Sequence, residues 1–149
     1  MKTTLAKTIS INTKDSMNKD NLNISKIETY LNEILDGEVS ENTFFTTYPN
    51  VSMVQSSDWQ DMVLVDIPSG VSDMEAMGLG HIFIGLYARP HESGKKNVAK
   101  MSELEEKLNI VLANAKDPRY LLIRNDTHST YDEDIDWHCN VVELIIKVF

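Results

Sequence analysis

The densest run of ligand-capable side chains is Asp132-Glu133-Asp134-Ile135-Asp136-Trp137-His138-Cys139. Carboxylates two residues apart offer oxygens that suit a hard cation. A small metal-dependent enzyme using Asp132, Asp134 and His138 is therefore one reading. Against it, the stretch has no glycine at the sixth position of an EF-hand loop and no helical pattern on either side. On a strand, His138 and Cys139 face opposite ways and do not serve one site. His81, His91 and His128 belong to other segments. The competing reading is an acidic hairpin tip standing in water.

Other chemical motifs fail on spacing. Gly78-Leu79-Gly80 begins like a dinucleotide fingerprint, but position 83 is Phe. The glycines also precede a strand pattern, where a phosphate loop follows one and opens a helix. Gly94-Lys95-Lys96 lacks the upstream glycine of a P-loop. Ser69 and Ser93 lie near glycines but in no nucleophile-elbow pattern. Trp59 and Trp137 each sit beside an aspartate near a strand edge, where tryptophan serves as rim packing or as an interface anchor. The loop from Arg89 to Lys96, with Lys95, is a candidate partner contact.

The elements that must carry these residues are readable from their spacing. Ser25-Lys26-Ile27-Glu28 has the form of a capping box. Ile24, Ile27, Leu31, Ile34 and Leu35 follow at helical period, and Gly37 stops the run. A helix is predicted over about 24–36. Thr43 to Tyr48 reads as a strand ended by Pro49-Asn50, with Val51 to Gln55 as a short continuation. Met62 to Ile67 is a buried strand, and 71–78 is a loop. In Leu79 to Ala88, Ile82, Ile84 and Leu86 face one side while His81, Phe83 and Tyr87 face the other. A second helix over about 98–115 carries Met101, Leu104, Leu108, Val111, Leu112 and Ala115. Tyr120 to Arg124 is a strand, 125–136 an acidic connection, and 137–148 a last strand. The order predicts an α+β domain: a mostly antiparallel sheet of about 4–6 strands with two helices packed on one face. Strands and helices do not alternate, which disfavours a doubly wound fold.

Composition sets outer bounds. With 149 residues, 42% hydrophobic and 25% charged, the chain can bury a core as one domain. A formal charge of −9 disfavours gripping nucleic acid. Cys139 is the only cysteine, so an internal disulfide and a thiolate zinc cluster are excluded. The apolar runs are too short for a membrane span, and the first residues lack the apolar stretch of a signal peptide. The default expectation is a reducing, soluble compartment. Residues 1–22 form a polar arm ahead of a single domain, 23–149. Through residue 27 five lysines stand against Asp15 and Asp20, a balance of +3 that leaves −12 for the remainder. Such an arm is either a solvated tail or a strap for the acidic surface of a neighbouring copy.

The order of elements resembles the tail-terminator and tail-completion proteins of tailed bacteriophages, with their related neck-ring proteins. The resemblance spans about 24–149. It rests on the helix Ser25–Gly37, the strand Leu79–Arg89, the loop through Gly94, the helix Met101–Ala115, and Tyr131 to His138 leading into Val141–Val148. It implies a non-enzymatic virion structural protein without cofactor or metal. Subunits would form a ring, often a hexamer, joining tail to head connector and contacting other neck and tail proteins. DNA would be only passing cargo on its way to ejection. The particle would be assembled in the host bacterial cytoplasm, with no membrane involved. Asp132, Glu133, Asp134, Asp136, Trp137 and His138 are then candidates for lumen or interface, and Arg89, Lys95 and Lys96 for partner contact. Ring closure needs a heterologous interface, for which the strands 43–48 and 137–148 are candidate sheet edges. A third reading is a monomeric binding module that offers the helix stripe Ile27, Leu31 and Ile34 to a partner.

Overall fold

The computed structural model describes residues 18–68, 71–74 and 76–149. Most of the arm expected over 1–22 lies outside the described residues. Its last part belongs to the folded body. Lys19–Leu22 is a short 3-10 turn, Asn21 Nδ2 donates to the Phe149 carbonyl at 2.6 Å, and the Tyr120 hydroxyl donates to the Asn21 carbonyl at 3.2 Å.

Helix α1 (Ile24–Leu35) is capped by Asn23, two residues before the predicted cap Ser25. Asn23 Oδ1 accepts from the Ser25 N–H at 2.8 Å, and asparagine caps as well as serine does. Gly37, at φ +75°, takes the left-handed turn that ends it. Strand β1 (Thr43–Phe45) follows. The expected strand at 51–55 is instead a helix, α2 (Val51–Ser56). Asn50 Oδ1 accepts from the N–H groups of Ser52 and Met53, so local capping overrides the strand propensity of the two valines. Then come β2 (Asp61–Asp66), β3 (Val71–Asp73) in part of the expected loop, β4 (Gly78–Ala88), α3 (Val98–Asn114), β5 (Tyr120–Asp132) and β6 (Trp137–Val148).

Six strands form one sheet, ordered β1-β2-β4-β6-β5, with β3 extending the β4 edge beyond β2. All pairs are antiparallel except β1 with β2. The predicted α+β class is therefore observed. One edge assignment is corrected. Strand 137–148 is interior, held between β4 and β5, and among the described residues the long edge strand is β5. Of the residues read as an acidic connection, 126–132 pair with 137–143, after a bulge between Arg124 and Asp126 that leaves Asn125 out of the ladder.

Both long helices cover one face. Ile27, Leu31 and Leu35 of α1, with Leu104 and Leu108 of α3, bury against Ile82, Ile84, Leu86, Val142, Leu144 and Ile146. The stripe Ile27–Leu31–Ile34 is thus core packing, and the binding-module reading loses its surface. Near the β5–β6 turn the opposite face carries a second, smaller core of Val54, Met62, Ile135 and Trp137, covered by α2. Gly85 belongs beneath it: a Cβ there would stand 2.8 Å from the Tyr87 ring.

Candidate functional site

The acidic run occupies the tip of the β5–β6 hairpin, and local hydrogen bonds shape it. The Asp134 N–H donates to Asp132 Oδ1 at 3.0 Å. The Tyr131 hydroxyl donates to Asp136 Oδ1 at 3.1 Å. Asp136 itself adopts φ 60°, a left-handed conformation that aspartate tolerates better than most residues. The tip is not a free loop. Ile135 is tucked into the second core, and Gln55 Nε2 on α2 donates to the Asp134 carbonyl at 3.2 Å. Glu133, Asp134 and Asp136 remain exposed and Asp132 is half-buried. Four carboxylates within five residues are therefore presented on a pinned support.

The neighbouring candidates divide. Trp137 is only 2% exposed, so it cannot serve as a lumen or interface contact, and its role is to fill the second core. Arg89 is also turned inward. Its Nε donates to the Trp59 carbonyl at 2.6 Å, and its Nη2 to the carbonyls of Val54 and Ser57 at 3.1 and 3.0 Å. Its guanidinium lies 4.9 Å from the Trp137 ring centroid. Arg89 thus closes the C-terminal end of α2 instead of reaching a partner. Lys95 is exposed and Lys96 half-buried, with Lys96 Nζ at 3.5 Å from Ser129 Oγ. That places the basic loop beside the hairpin, at the same end of the sheet.

His138 faces the helix-covered side of β6, half-buried and edge-on to Tyr131 at 5.0 Å, with a buried Nε2 that makes no hydrogen bond. Asp132 pairs with Trp137 and points to the other face. The trio Asp132, Asp134 and His138 is therefore not assembled. Among the described residues no three His, Cys, Asp or Glu side chains are grouped to hold a metal ion. Cys139 lies under Tyr87, and burial pushes its thiol up to about 12, so it is protonated at neutral pH and a poor nucleophile.

Sequence spacing does not show a polar cleft of about 560 Å³ between the α1–β1 loop, the α2–β2 loop and α3. Ser40 Oγ donates to Asp61 Oδ1 at 2.5 Å. Lys100 Nζ bridges Asp61 Oδ2 at 3.3 Å and Glu103 Oε1 at 3.2 Å, and Lys107 Nζ reaches Glu103 Oε2 at 3.0 Å. Burial works to lower the Lys100 pKa, but hydrogen bonds to Glu103 and Asp61 outweigh it and the net shift is upward. Lys107 and Lys100 hold Glu103 below the usual carboxylate range. A lysine kept charged is no nucleophile and no base. Ser40 is bound to a carboxylate that Lys100 already neutralises. The cluster fastens α3 to the β1–β2 side of the sheet. Its members come from three distant segments, and no motif in the sequence announces them.

No family model matches the chain, and no curated protein matches it in sequence. No helix among the described residues is long and apolar enough to cross a membrane. The class that fold and site define is an α+β domain with one sheet face covered by two long helices, an opposite face largely uncovered among the described residues, and an acidic hairpin at one end.

Proposed function

We propose that the chain is a structural subunit of a tailed-phage virion, tail-terminator-like or a neck ring component that joins tail to head. In this reading copies assemble head-to-tail into a ring, other neck and tail proteins stack on it, and the genome passes through the lumen. The observation that carries it is the pinned tip: Asp132, Glu133, Asp134 and Asp136 project from a turn held by Ile135 and Gln55. There is no Lys or Arg from 125 to 146. Fixed negative charge repels phosphate, so DNA slides past such a wall without adhering. A metal-binding acidic cluster would need convergent ligands, and no three His, Cys, Asp or Glu side chains are grouped in that way among the described residues. The β5 edge and the short β1 edge, both outermost among the described residues, supply two different margins, as a heterologous contact requires. Lys95 and Lys96 are the cations placed to meet a neighbouring protein at the hairpin end.

The test is a charge reversal of Asp132, Glu133, Asp134 and Asp136 to Lys. The monomer is expected to fold with an unchanged circular dichroism spectrum while ring assembly or DNA passage fails. Wild-type assembly and wild-type DNA passage in that variant would refute the reading.

A further inference from the structure

The sheet face opposite α1 and α3 is covered at its hairpin end by α2 and the second core. Toward the other end nothing among the described residues lies over it. A solvated sheet face normally alternates to polar residues. Here the outward positions include Phe83 and Ile145, both half-buried, with Ile123 38% and Leu121 47% exposed on the adjacent strand. The register sets Ile145 between His81 on β4 and Ile123 on β5. Its neighbours on the same face of β6 are Glu143 and Lys147. Glu143 accepts from Asn125 Nδ2 at 2.8 Å and lies 2.7 Å from His81 Nδ1, which fixes its position. Lys147 makes no ion pair among the described residues.

We infer that this bare face is covered by a second copy of the chain, packed face to face about a two-fold axis over Ile145. The charge pattern selects the occupant. Read along β6 the face runs Glu143, Ile145, Lys147: acid, apolar, base. A two-fold axis perpendicular to the strands reverses that order in the second copy. Lys147 of each copy then meets Glu143 of the other, with the two Ile145 side chains between them. Such an isologous patch is self-complementary. Away from the hairpin end, the other carboxylates on this face are Asp126 on β5 and Asp66 on β2, which pairs with Phe83; under the two-fold axis Asp126 falls opposite Leu121 of the second copy, not opposite a carboxylate. Glu143 and Lys147 are four residues apart on one strand, about 13 Å, too far to pair within a chain. This contact is distinct from the heterologous one a ring requires. If both exist, two rings meet back to back.

The experiment is sedimentation velocity on the full chain at low salt, from about 1 to 200 µM, with Glu143→Lys, Lys147→Glu and the double swap. The expected result is a reversible wild-type dimer whose dissociation constant rises about tenfold or more in each single variant. The double swap should return to within about threefold of wild type, which no interaction inside one chain explains. A wild-type monomer throughout, unaltered single variants, or a double swap that fails to restore association would each overturn the inference. Should the swaps fail to fold, Ile123→Lys decides, because that side chain is exposed: loss of the dimer supports the contact and a retained dimer refutes it. Ring-shaped assemblies indifferent to every one of these substitutions would overturn the two-fold contact and leave the ring reading standing. A dimer abolished by them, in a chain that forms no ring under any condition, would do the reverse.

Discussion

The Arg89 guanidinium lies 4.9 Å from the centroid of the Trp137 ring, itself part of the small core beneath the hairpin tip. Each has the character of a surface contact when read alone. Together they join the end of β4, the start of β6 and the C-terminal end of α2. The acidic tip is only as rigid as this joint.

Arg89→Ala should therefore destabilise the fold strongly. It removes donors from the carbonyls of Trp59, Val54 and Ser57 and strips the cation from an aromatic face. A loss of about 2–4 kcal/mol in urea unfolding is expected. Arg89→Lys should recover little of it, because one ammonium cannot reproduce the planar fork. Wild-type stability in either variant would show that the joint contributes nothing.

Reversal of Glu133 and Asp134 should leave stability nearly untouched. Both are exposed, and neither side chain is ion-paired among the described residues. A change within about 1 kcal/mol is expected by thermal unfolding. Ile135→Asp in the same turn should cost about 2–4 kcal/mol, since it removes a buried anchor and puts a charge in its place.

Lys100→Met should cost about 1–3 kcal/mol, because it leaves the Asp61 carboxylate, already bound by Ser40, without its cation. Unchanged urea unfolding would mean the cluster is held by solvent alone.

Alkaline conditions should destabilise the chain in a specific window. The Cys139 thiol is raised by burial from an ordinary 9.0 to about 12, and the Tyr87 hydroxyl above it is raised as well, by burial and then by Cys139. For groups whose folded pKa lies above the unfolded one, the contribution is complete below the unfolded value and is lost as pH rises toward the folded value. Unfolding free energy should thus be flat with respect to these groups below pH 9 and fall between 9 and 12. While Cys139 alone titrates, the slope is about 1.4 kcal/mol per pH unit. Cys139→Ala should flatten that decline in urea titrations at successive pH values. The native thiol should also resist alkylation at pH 8 until urea is added.

Much of the fold is legible in the sequence wherever one face is strongly apolar. Ile27, Leu31 and Leu35 mark α1, Met101, Leu104 and Leu108 mark α3, and the alternation of Ile82, Ile84 and Leu86 gives β4 its buried side. The misreadings occur where pattern is weak and a partner decides. Val51 to Ser56 has strand-like valines, but Asn50 caps a helix. Asp126 to Asp132 has no apolar alternation because it is an edge strand, held in place by pairing with 137–143. The acidic run is visible as composition, whereas its rigidity depends on Gln55, Val54 and Met62, which are remote in sequence. The inward turn of Trp137 and Arg89 is invisible for the same reason.

Negative-stain electron microscopy of the concentrated full chain, carrying a gold-labelled cysteine at Glu133→Cys, tests the central claim most directly. The account predicts closed rings with a central channel and label on the channel wall. Rings labelled on the outer rim, or no closed ring at any concentration or salt, would contradict it.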